Sequence, residues 1–158
     1  MELRPELMPP PLDEALVARL AKLADAIDGA LPGQYEDNLT EFNRLANTSI
    51  PFRDFQGIYG AENHANWVRR LLWSQRIKPA AGVTRAELIE VIRRADPRVG
   101  INDENEAYMA IFDANVPLPK ASMLLYYPPE EDGTEDKGWD PTPEQIVDLA
   151  LRGQTAAD

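Results

Sequence analysis

Small helical bundles, an all-α architecture, are predicted for this chain by three observations. Apolar residues recur at three- and four-residue spacing in one stretch after another. Between the stretches stand Pro, Gly and the short polar residues that cap helices. No β-hairpin signal competes with this pattern.

Taken in order, Glu2 to Pro11 is Pro-rich and reads as an irregular arm. Leu12, Leu16, Leu20, Leu23 and Ile27 predict a helix to Asp28, with Gly29 placed to end it. Tyr35, Leu39, Phe42 and Leu45–Ala46 predict a second helix from Gln34 to Asn47. Asn47, Thr48 and Ser49 before Pro51 read as a cap for a short helix through Phe52, Phe55 and Tyr59. Trp67, Val68, Leu71 and Leu72 predict a helix from Asn63 to Ile77. Lys78 to Val83, with Pro79 and Gly82, reads as a hinge or linker.

Thr84 and Glu87 form a capping-box pattern ahead of Leu88, Ile89, Val91 and Ile92, and Asp96-Pro97 stops that helix. Asn102 or Asp103 is placed to cap the next, whose apolar face is Ala107, Tyr108, Ile111 and Phe112 and which Pro117 and Pro119 end. Ser122 to Pro128 is short and apolar, compatible with a strand or a single helical turn. Glu130 to Asp140 reads as an acidic exposed loop. Thr142-Pro143-Glu144-Gln145 starts a last helix that Gly153 is placed to cap. Two regions result: 1–79, a helical region of unknown role, and 80–158. Each runs helix, helix, short apolar piece, helix, the order an internal duplication would leave.

The chain has 158 residues, enough for one ordinary domain or two very small ones, and 44% of them are apolar, enough for a core. No apolar run approaches the roughly 18 residues of a spanning helix. No secretory signal is visible at the N-terminus, so the expected location is the cytoplasm. With no Cys and one His, His64, the chain has no disulfides, thiol nucleophile or Cys-based zinc site, and no site needing two imidazoles. His64, at a helix start, reads as a surface or capping side chain. No phosphate-cradling Gly-rich loop, EF-hand spacing or nucleophile elbow is present. These features predict neither an enzyme nor a cofactor.

The net charge is −11, and it is uneven. Residues 80–158 carry seven basic and sixteen acidic side chains, and twelve of the acids fall between Asp103 and Asp148. Such a chain is a poor direct partner for nucleic acid, because phosphate contacts need Lys and Arg. The acids fit either a solvated surface or a steering face for a cationic protein. Two adjacent tyrosines, Tyr126 and Tyr127, follow Leu124-Leu125. One reading buries one ring in the core. The other exposes both as the rigid, amphipathic area favoured at interface hot spots.

In this order, Thr84-Arg85-Ala86-Glu87-Leu88, Phe112, Ser122 to Pro128 and Pro143-Glu144-Gln145-Ile146-Val147 resemble the immunity proteins of nuclease E-group colicins and S-type pyocins. The resemblance spans residues 84–153. It implies a distorted four-helix bundle with a short third helix. It also implies a protein that binds a basic nuclease toxin domain beside its active site and excludes nucleic acid. It places anchors at Tyr126 and Tyr127 and specificity positions at Asn105, Glu106, Met109, Ala110 and Asp113. The chain departs from the family at Met123, where an Asp is usual, and in a final helix without the family's Trp and basic tail. Residues 1–79 have no counterpart in its short members. The expected function is therefore bacteriocin immunity. The alternative is a helical interaction module, an antitoxin or adaptor, for an unrelated partner. An adjacent reading frame with a basic nuclease domain favours the first.

Overall fold

The computed structural model describes residues 1–102, 104–129 and 138–155 and divides the chain into two compact units, Pro10–Arg76 and Met1–Pro9 with Ile77–Asp158. Among the described residues every regular element is helical and there is no strand. The chain is all-α, as its sequence predicts.

The first unit holds α1 (Glu14–Ile27), α2 (Glu36–Ala46), a 3-10 helix at Phe52–Phe55, α3 (Ile58–Ala61) and α4 (His64–Arg76). Asp13 caps α1 by accepting from the amides of Ala15 and Leu16 at 3.0 and 3.2 Å. The helix turns Val17, Leu20, Leu23 and Ile27 inward and packs on α2 and α4. Phe42 and Phe55 are fully buried and meet edge to face with ring centroids 4.9 Å apart; Trp67 closes the cluster. The expected cap at residues 47–49 takes another form. Asn47 ends α2 in the left-handed region at φ 56°, which Asn tolerates. The turn is then held by Asn43, whose Oδ1 accepts from the Thr48 hydroxyl and the Ile50 amide.

His64 is neither a free surface group nor a plain cap. Its Nε2 lies 3.0 Å from Asp28 Oδ2 at the end of α1. The Asp28 side chain, 2% exposed, also accepts from the amides of Gly57 and Tyr59. Burial pushes this carboxyl up, but the bonds from His64, Gly57 and Tyr59 outweigh it and hold the carboxyl below its ordinary range.

The second unit holds a 3-10 helix at Pro5–Leu7, α5 (Arg85–Ala95), α6 (Asn105–Ala114), a 3-10 helix at Ala121–Leu125 and α7 (Pro143–Thr155). Helix α5 packs on α6 and α7, and the Ala121–Leu125 helix packs on both of those. The capping box forms as expected: Thr84 Oγ1 accepts from the Glu87 amide, and Glu87 Oε1 accepts from the Thr84 amide. The core joins Leu88, Val91 and Ile92 to Ile111, Phe112, Leu124, Leu125, Ile146 and Val147.

The N-terminal arm belongs to this unit, whereas the sequence reading groups it with the first half. Leu3 and Leu7 are buried in the same core, and Arg4 donates to Glu87 at 2.7 Å and to the Ala81 carbonyl at 3.0 Å. Burying two leucines favours that docking by about 1.5–3 kcal/mol each. Thr142 and Gln145 exchange side chain-to-amide bonds at the start of α7, as predicted. Gly153 does not cap its end. The helix continues through it to Thr155. The acidic stretch at 130–137 lies outside the described residues, as does Asp103. No described helix is long and apolar enough to cross a membrane.

Candidate protein-binding face

The ambiguous segment from Ser122 folds as part of a 3-10 helix, not a strand. Its apolar residues divide by geometry. Ala121, Leu124 and Leu125 point into the core, and Met123, Tyr126 and Tyr127 point out, 39%, 45% and 57% exposed. The two rings stand edge to face, 6.4 Å between centroids. Both tyrosine amides donate to the Met123 carbonyl at 2.9 Å, so the pair leaves the helix from one fixed point. Three large exposed side chains within five residues form an apolar surface in an acidic protein.

Helix α6 flanks this surface. Glu106, Met109, Ala110 and Asp113 recur every three or four residues and share one side of the helix. Glu106 is exposed, and Met109 and Ala110 are half-buried. Burial raises the Tyr126 hydroxyl above its ordinary pKa, and the charges of Asp96 and Glu106 add to the rise while Arg98 opposes it. Tyr126 thus senses Glu106 of α6 and the Asp96–Arg98 pair at the end of α5. That pair was not anticipated. Arg98 donates to both oxygens of the buried Asp96 and reaches Asp140 at 2.8 Å.

Two of the expected specificity positions are engaged inside the protein. Asn105 is buried. Its Oδ1 accepts from the Asn102 amide and its Nδ2 donates to the carbonyls of Arg94 and Gly100. It ties the end of α5 to the start of α6, with both amide hydrogens and the oxygen bonded inside the protein. At the other end of α6, Asp113 turns toward the 3-10 helix. Its Oδ1 and Oδ2 accept from the Ser122 amide and hydroxyl, each at 2.7 Å. Burial raises the Asp113 carboxyl, and the two Ser122 bonds only partly offset this. The Asn102–Asn105 contact is local, but no local pattern reveals the bond from Asn105 to Arg94 or from Ser122 to Asp113, because those partners lie in other elements.

Among the described residues, part of the acidic charge between Asp103 and Asp148 is engaged within the protein. Asp113 faces inward, Asp140 pairs with Arg98, and Asp148 pairs with Arg85 at 2.9 Å. Glu104, Glu106 and Glu144 are exposed. An open cleft of about 530 Å³ lies between α5 and α6. Its arginines are engaged, Arg93 with Glu90, and Arg94 with Glu90, the Tyr108 hydroxyl and the Met1 carbonyl. No group of three or more His, Asp or Glu side chains suited to a metal occurs among the described residues. Compared with protein-family models, curated proteins and solved structures, the chain matches none.

Proposed function

We propose that this protein is a bacteriocin immunity protein, a stoichiometric inhibitor that binds a basic nuclease toxin domain and blocks nucleic-acid access. The observation that carries the reading is the outward pair Tyr126 and Tyr127, with Met123, on a short helix whose other apolar residues are buried. Exposed aromatic area with few rotatable bonds is what interface hot spots use. Glu106 and the half-buried Met109 and Ala110 extend the face along α6. Of the five specificity positions implied by the family resemblance, these three remain as contacts. Acidic residues at the rim favour a cationic partner, as a nuclease must be to hold phosphates. Neutralising the toxin in the cell that makes it sets this action in the cytoplasm.

The test is co-expression with the product of an adjacent reading frame that carries a basic nuclease domain. A one-to-one complex that loses nuclease activity is the expected result. A nuclease that neither co-purifies nor loses activity excludes the reading.

A further inference from the structure

We infer that Asp113 and Trp139 form a two-point clamp that positions the Tyr126–Tyr127 pair for its partner; this rests on the proposed binding role of that pair. The clamp grips the 3-10 helix at both ends. At its start, both Asp113 oxygens hold Ser122, the residue just before Met123, whose carbonyl collects the two tyrosine amides. At its end, the half-buried Trp139 donates its indole N–H to the Leu124 carbonyl at 2.9 Å. A five-residue 3-10 helix has poor internal hydrogen-bond geometry and does not hold its shape alone. Here both grips come from outside it, one from α6 and one from the segment before α7.

Asp113 is an expensive way to hold a serine. The carboxylate is half-buried, its burial raises it, and no cation pairs with it among the described residues. An apolar residue at 113 would avoid that desolvation cost. The charged group instead offers two strong acceptors to one residue, which fixes the orientation of the turn. Rings held in their bound orientation lose less freedom on association, so affinity rises through preorganisation. Asp113 is therefore a positioning residue that acts through the tyrosines without touching the partner.

Two arms test this. In the free protein, Asp113→Ala, Ser122→Ala and Trp139→Phe are compared with wild type by the ring NMR signals and amide exchange of Tyr126 and Tyr127. The milder Asp113→Asn serves if Asp113→Ala does not fold. The expected result is shifted rings and amide exchange at least tenfold faster, with the signals of α5 unchanged. Unchanged tyrosines overturn the clamp, and this arm needs no partner. The second arm measures binding of the co-purified nuclease domain in a double-mutant cycle. Asp113→Ala should weaken wild type about tenfold and have no effect in a Tyr126→Ala/Tyr127→Ala background. An equal loss in both backgrounds would mean that Asp113 meets the partner directly, and the positioning role would be wrong. A nuclease domain that binds none of the proteins removes the functional reading while leaving the first arm to decide the clamp.

Discussion

Gly153 packs against Leu118 so closely that a β-carbon at 153 would stand 3.0 Å from the Leu118 backbone nitrogen. Elsewhere in a helix, Gly→Ala gains up to about 1 kcal/mol. Here Leu118 lies between Pro117 and Pro119, whose rings restrict the backbone, so it cannot step back. Gly153→Ala should therefore destabilise the second unit by about 1–3 kcal/mol, as overpacking does. A urea midpoint that rises on this substitution would show that the 117–119 turn yields.

Asn105→Ala should cost about 2–3 kcal/mol of stability, because it strands the Asn102 amide and the Arg94 and Gly100 carbonyls. Partner choice should not change. Swaps at Glu106, Met109 and Ala110 should do the reverse, altering which nuclease is neutralised with little effect on thermal unfolding. A partner switch caused by Asn105 alone would contradict its structural role.

These two residues mark what the sequence makes legible. Helices, stops and caps that depend on neighbours within four residues could be read directly: Thr84 with Glu87, Thr142 with Gln145, and the stripes of α1 and α5. Gly153 could not, because a glycine that lets another segment approach looks the same in sequence as one that ends a helix. Leu3 and Leu7 looked like part of an irregular arm, because their core lies more than 80 residues away. Tyr126 and Tyr127 stood out by their size and adjacency. Asp113 shared a helix side with Glu106, and only the fold revealed that it turns to Ser122.

Acid should weaken the first unit through Asp28. Its folded carboxyl lies below its ordinary value, so its stabilisation is complete above the unfolded pKa of about 3.9 and is lost as pH falls through the folded value. Asp28→Ala should cost about 2–3 kcal/mol at pH 7, from the lost bonds to Gly57, Tyr59 and His64. The gap between variant and wild type should shrink below pH 4. Denaturant unfolding from pH 7 to pH 2 checks this; a gap that widens toward acid would refute the sign.

Association with the nuclease domain should slow as salt rises, since the Debye length falls from about 30 Å at 0.01 M to about 3 Å at 1 M. Dissociation should change less, because aromatic contacts hold the formed complex. The part played by Glu106 can be isolated by Glu106→Gln in stopped-flow measurements, which should flatten the salt dependence. A rate indifferent to salt would assign the acidic surface to solubility alone.

The most direct measurement is a titration of nuclease activity with wild-type protein and with Tyr126→Ala and Tyr127→Ala. With the toxin held below the wild-type dissociation constant, wild type should halve activity near that constant and abolish it well above it. Each variant should fold, yet lose about 2 kcal/mol or more of binding, roughly thirtyfold in the concentration needed. Half-inhibition by both variants at the same concentration as wild type, under the same conditions, would contradict the account.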